Sequence, residues 1–226
     1  MFVANPRLIN KVNEWHAKGC PSQEAFNWSK SRENWIKNIH HQKVFIEKLP
    51  PALDRSTVRK FCESTDTSIQ QKFLTVMIWG YGDLGYGSYR VSKMFKSTNF
   101  NENLETSFEL GHTNRAIESY AFLSKNRILQ LGPAYATKWL SFITPRNSPA
   151  PIFDKFISLW ITRFASSSFK GVNTSSENWN TKTYKKYYEW VYRNCGELGL
   201  QADDLEYVIF EDSLGMFNSG SKWSKL

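Results

Sequence analysis

Asp154 is the carboxylate in this chain best suited to chemistry. It closes the stretch L-G-P-A-Y-A-T-K-W-L-S-F-I-T-P-R-N-S-P-A-P-I-F-D, residues 131–154. There a Gly132-Pro133 turn opens an apolar helix, a proline-broken loop follows, and the aspartate stands just ahead of a second apolar run, F-I-S-L-W-I. Pro149, Pro151, Ile152 and Phe153 would partly dehydrate the carboxylate, while the start of a helix favours its charged form. A fixed carboxylate in a low-dielectric site stabilises a developing positive charge, such as the one that builds on a deoxyribose when its bond to a base breaks. An aspartate in this place also reads as a plain helix N-cap.

The turn itself offers an anion site. Gly132 supplies backbone freedom and Pro133 suits the first helical position. The N–H groups of the next residues, Ala134 and Tyr135, have no partner inside the helix and can hold a phosphate. Lys138, about one and a half turns along, Arg90 and Lys155 would add charge to that grip. A second loop, G-Y-G-D-L-G-Y-G at 80–87, lacks the closing Gly-Lys-Ser/Thr of a nucleotide-binding loop. Its glycines let backbone approach a ligand. Trp79, Tyr81, Asp83, Tyr86 and Tyr89 are the candidates to enclose a base there. Both loops also read as ordinary turns between packed helices.

The elements that must position these residues are helical. Pro6–Lys18, Ser31–Lys48, the stretch after Asp54, Asp66–Trp79, Ser88–Lys96, Ala116–Leu131, Ile152–Ala165, Thr181–Gly196 and Asp203–Asp212 all carry helical spacing. Trp35, Ile39, Val44 and Ile46 supply apolar positions in the second of these, and Asp54 reads as an N-cap. Ser166–Asn180 reads as a loop, and the closing N-S-G-S-K-W-S-K-L as frayed. Period-two runs are few, so the fold class is all-α.

Composition narrows the partner. The net charge of +8 and pI near 9.3 suit a polyanion, above all nucleic acid. The opening residues lack the apolar run of a secretory signal, and the longest apolar run, near F-L-T-V-M-I-W, is too short to span a bilayer. Cys20, Cys62 and Cys195 form neither a disulfide framework nor a metal motif. The chain reads as cytoplasmic and metal-free, without membrane contact.

L-G-P-A-Y-A-T-K-W-L-S-F followed by P-I-F-D resembles the helix-hairpin-helix DNA glycosylases, closest to bacterial proteins with an 8-oxoguanine glycosylase fold. W-G-Y-G-D-L-G-Y-G-S-Y-R (79–90) and D-D-L-E-Y-V-I-F (203–210) are similar to further motifs of those proteins. The resemblance implies a single domain over 1–226: an N-terminal helical part to about 65, a helical lobe with the glycine loop at about 66–130, the hairpin and Asp154 at about 131–154, and C-terminal helices at 155–226. It implies two helical lobes with an active-site cleft between them, into which a base is flipped, and a bacterial protein that works on DNA as a monomer without a cofactor. Gly132 matches the first hairpin glycine, Thr137 the threonine early in the second hairpin helix, and Asp154 the catalytic aspartate. Ala134 replaces the usual second glycine. Ala136, by its spacing to Asp154, takes the place of the lysine found in lyase-competent members. On that alignment Lys138 lies about 200° around the helix, points toward phosphate, and leaves a monofunctional enzyme in which Asp154 aids attack by water. A shifted alignment makes Lys138 a Schiff-base nucleophile. The branch also resembles proteins of anti-phage defence, for which hypermodified phage cytosines such as glucosylated hydroxymethylcytosine are candidate targets; oxidised guanine is the repair alternative. A non-catalytic DNA-binding module with the same hairpin is the competing class.

Overall fold

The computed structural model describes residues 5–82 and 84–218. Among these the chain is helical, apart from a two-residue antiparallel pair. In that pair β1 (Phe26–Asn27) lies along β2 (Ala52–Leu53), with Phe26 opposite Leu53. The all-α expectation is met.

Two helices form the centre. α5 (Ile69–Tyr81) starts at a capping box in which Ser68 and Gln71 exchange side-chain and backbone bonds. Its residues from Lys72 to Trp79 are all buried, so it has no solvent face. α9 (Pro133–Ile143) is nearly as enclosed and packs against it, with Phe73 edge-on to Trp139 at 5.5 Å. Around them lie α4 (Arg55–Glu63), α6 (Gly87–Met94), α7 (Phe100–His112) and α8 (Ala116–Lys125). α7 comes close because Gly111 has no side chain: a Cβ there would fall 2.7 Å from Ile143 Cδ1. Trp139 also donates to Ser107 of α7 at 2.8 Å.

The second layer is α10 (Lys155–Phe164), α11 (Thr181–Leu198) and α12 (Ala202–Asn218), with α1 (Pro6–Ala17) laid along α12. Arg7 of α1 holds Asp212 through Nε at 2.7 Å, and Trp160 Nε1 donates to the same carboxylate at 2.7 Å.

Several local expectations change. Ser31–Lys48 is interrupted at Ile39 and becomes α2 (Arg32–Asn38) and α3 (Lys43–Lys48). Val44, expected to be packed, is 65% exposed, because the break rotates α3 relative to α2. The helix at 116 ends at Lys125 rather than Leu131. α10 begins at Lys155, since Pro149 and Pro151 keep the preceding residues extended. Residues 219–226, and with them most of the end read as frayed, lie outside the described residues.

α6 meets α5 through a second close approach. A Cβ at Gly87 would sit 2.7 Å from both Cβ and Cγ of Tyr81. Those atoms are at the root of the ring and cannot swing aside, whereas the Ile143 methyl beside Gly111 can. Gly87→Ala is therefore expected to lower unfolding stability by about 1–3 kcal/mol, and by more than Gly111→Ala. Urea midpoints of the two variants check this; equal midpoints would refute the rigid contact.

Candidate active site

Asp154 does two things at once. Its Oδ1 accepts from the N–H groups of Phe156 at 3.1 Å and Ile157 at 3.3 Å, which makes it the N-cap of α10. Its Oδ2 is left to face Lys138, whose Nζ stands 3.3 Å away. Both side chains are mostly shielded, at 16% exposure for Lys138 and 14% for Asp154. The cap fixes the carboxylate and turns the second oxygen toward the amine.

The expectation that Lys138 points away from Asp154 is thus corrected. Residues two apart on a helix lie about 200° apart, so Ala136 and Lys138 cannot share a face. Ala136 is fully buried in the core, and Lys138 takes the face toward Asp154. Its aliphatic stem runs over Gly80, where a Cβ would come within 3.1 Å of Lys138 Cδ. Its ammonium lies 5.6 Å from the ring centres of both Trp79 and Tyr135.

The approach to Asp154 is an extended strap, 149–153, with no strand beside it. Six of its backbone groups are met by side chains instead. Ala150 N–H donates to Thr144 Oγ1 at 2.8 Å, Ile152 N–H to Glu206 Oε2 at 2.6 Å, and Phe153 N–H to Thr137 Oγ1 at 3.0 Å. Tyr192, Tyr184 and Tyr187 donate their hydroxyls to the carbonyls of Pro149, Pro151 and Ile152 at 2.7, 3.1 and 2.9 Å. Pro149 and Pro151 have no N–H to satisfy. Burial pushes the Tyr184 and Tyr187 phenols well above their ordinary range, so these hydroxyls stay protonated and keep donating. Thr137, next to Lys138 on α9, ties the lysine's helix to the residue before Asp154.

Glu206 is the buried anion of this frame. Burial pushes its carboxyl up to about 7, against the pull of Arg55 and of the Ile152 N–H. Arg55 Nη2 bonds its other oxygen and Arg55 Nη1 reaches Asp203 at 3.2 Å.

Lys138 and Asp154 form part of the wall of a cavity of about 360 Å³. Phe26, Trp79, Tyr81, Phe156 and Phe210 supply aromatic surface, and Arg55 and Gln23 polar groups. This size and mix suit a small planar ligand. A cavity of about 370 Å³ between α1 and α12 is lined by Asp212, but Arg7 and Trp160 already occupy that carboxylate.

Residues 19–210 match the family described as "Putative 8-oxoguanine DNA glycosylase OGG-like protein". The chain belongs to this family. Comparison with curated proteins and with solved structures gives no match. The OGG-like assignment makes DNA the substrate class. Among the described residues no helix is long and apolar enough to cross a membrane, and no cluster of His, Cys, Asp and Glu could hold a metal ion.

In this OGG-like chain the predicted base-pocket residues divide. Trp79 and Tyr81 line the cavity. Tyr86 and Tyr89 do not: they are 50% and 55% exposed, on or just before α6, where Arg90 lies over Tyr86 at 5.1 Å. They fall outside because α6 turns that face to solvent while Tyr81 closes the inner side. Asp83 lies outside the described residues. Tyr135 stacks on Tyr81 at 4.0 Å but does not itself line the cavity.

At the turn before α9, Gly132 has φ −87°, so its freedom is not what makes the turn; Gln130, at φ 67°, takes the left-handed position. A Cβ at Gly132 would meet nothing within 4 Å, and no side chain caps α9. Pro133 is buried at the first helical position, Ala134 is half-buried, and Lys155 is exposed. The sequence reading missed Phe26, Gln23, Arg55 and Glu206, which reach the cavity from the N-terminal third and from α12. Glu206 was inside a quoted motif; the other three carried no local signal.

Thr137→Val keeps the shape of the side chain but leaves the buried Phe153 N–H without an acceptor. It is expected to cost about 1–3 kcal/mol of stability, measured by urea denaturation. A variant as stable as the parent would show that the strap is held without this bond.

Proposed function

We propose that this chain is a DNA glycosylase that uses Lys138 as its nucleophile and therefore has lyase capacity. The observation that carries the reading is the Lys138 Nζ to Asp154 Oδ2 distance of 3.3 Å, at the wall of an aromatic cavity. A base turned out of the duplex would stack among Trp79, Tyr81 and Phe156. The uncapped start of α9, with Gly132, Pro133, Ala134 and Tyr135, would hold a flanking phosphate, and Arg90 and Lys155 others.

The chemistry follows from the pair. Asp154 Oδ2 accepts a proton from the Lys138 ammonium and so frees its lone pair. Nζ attacks C1′ of the deoxyribose, and the electrons of the glycosidic bond leave with the base, which takes up a proton. The base takes its proton from Asp154, and the carboxylate thus restored offsets the positive charge on the sugar. The lysine adduct opens to an imine, whose C2′ proton can be lost with cleavage of the 3′ phosphate bond. Water finally releases the lysine. This pairing favours amine attack over the water-attack reading that the Ala136 spacing suggested.

The family description directs the first substrate test to oxidised guanine. One observation favours a bulkier base, such as a hypermodified phage cytosine. Beyond Arg55, Gln23 and Tyr207, which line both spaces, lies a polar cavity of about 310 Å³ that includes Ser22, Asp54 and Asp203. DNAs of both kinds belong in the assay, with released bases identified by mass spectrometry.

Borohydride reduction during turnover is expected to trap the protein on DNA, with the adduct lost in Lys138→Ala. Asp154→Asn should still bind DNA but release base about 100-fold more slowly, the order seen when one charge-stabilising group is removed. Base release by Lys138→Ala at the parental rate, with no adduct in the parent, would restore the water-attack reading.

A further inference from the structure

We infer that Glu206 and Tyr187 are positioning residues for the Lys138–Asp154 pair, acting through the backbone of Ile152. This rests on the reading of that pair as the reacting groups. Ile152 is gripped from both sides: its N–H donates to Glu206 Oε2 at 2.6 Å, and its carbonyl accepts from Tyr187 at 2.9 Å. The two holders come from different helices, α12 and α11. Two residues later stands Asp154, whose Oδ1 is locked by the first turn of α10. With both ends held, Oδ2 has one place to be, and that place faces Lys138.

A neutral side chain would serve if the only need were to satisfy one N–H. The chain instead buries an ionisable carboxylate, 3% exposed as a residue, and supplies Arg55 to pair with it. That arrangement resists displacement in two directions, because moving Ile152 also strains the Glu206–Arg55 pair. Both Glu206 oxygens are engaged, one by Arg55 and one by Ile152, so its role toward a ligand in the cavity is indirect. The charged and titratable groups around it are Arg55 from α4, Tyr184 and Tyr187 from α11, Asp203 on its own helix, and Lys138 and Asp154 at the cavity wall. The tyrosines remain protonated. Loss of the negative charge on Glu206 as the pH falls through about 7 would weaken the grip on Ile152 and on Arg55. The ionised form is therefore the working one, and activity should decline on the acid side.

The Arg7–Asp212–Trp160 cluster provides the contrast. It also buries a carboxylate on α12, at 5% side-chain exposure, but its bonds run to α1 and to the middle of α10 rather than to the strap.

The test is single-turnover base release at saturating protein, across neutral pH, for the parent, Glu206→Gln, Tyr187→Phe and Asp212→Asn, with DNA affinity and melting measured alongside. Misplacing a reacting group by about 1 Å can cost on the order of 100-fold in rate. Glu206→Gln and Tyr187→Phe are expected to lose about tenfold or more, with DNA affinity within about twofold of the parent. The acid limb near pH 7 should be present in the parent and absent in Glu206→Gln. Asp212→Asn should melt earlier yet keep the parental rate and limb wherever it is folded. If Glu206→Gln fails to fold, Tyr187→Phe, which removes one hydroxyl, decides the matter. Parental rates in both strap variants, or a rate loss that follows melting and appears equally in Asp212→Asn, would overturn the inference. Should Lys138→Ala release base normally, the reading of the site fails; should Lys138→Ala be dead while the strap variants are parental, only the positioning role fails.

Discussion

Five extended residues without a neighbouring strand are the constraint on which the site depends. A buried backbone cannot leave its polar groups unmet without a cost of a few kcal/mol each. Residues 149–153 meet six of theirs with side chains: two threonines from the α9 region, three tyrosines from α11 and one glutamate from α12. The bonds run between elements that are distant in sequence, so the strap is also the joint between them. α9 brings Lys138 to it, the strap delivers Asp154, and α11 and α12 hold the strap in place.

Structural and chemical readings of Asp154 were alternatives at the level of sequence. In the fold one arrangement can serve both. An N-cap contributes about 0.5–2 kcal/mol to a helix, and the same bonds leave Oδ2 directed at Lys138. A carboxylate so fixed can offset positive charge on a sugar. Glycine serves the amine in a comparable way. Gly80 is useful for what it lacks, since a methyl there would press on the lysine stem.

Much of the fold was legible because α1, α4, α5, α6, α10, α11 and α12 carry apolar periodicity or clear caps. α7 was not, and the reason is physical. Its buried face includes Asn103, Ser107 and Gly111 beside Phe100 and Leu104, so close packing and hydrogen bonding replace the apolar stripe. At the site, Asp154 and the turn before α9 could be read from residue type and order. Lys138 was misplaced because spacing was counted as in a longer connection. The strap is extended and covers its distance in few residues, so a separation of sixteen rather than eighteen brings the amine to the carboxylate. Arg55, Gln23 and Phe26 were beyond reach, since only the docking of the N-terminal third against α12 brings them to the cavity.

The tyrosines and glutamate that hold the strap follow Asp154 in the chain by between thirty and fifty-two residues. During synthesis, which runs from the N-terminus, Lys138 and Asp154 emerge from the ribosome before the side chains that fix their separation. A nascent chain thus carries the amine and the carboxylate without a defined distance between them. On the function proposed above, base excision begins only when α11 and α12 have closed on the strap.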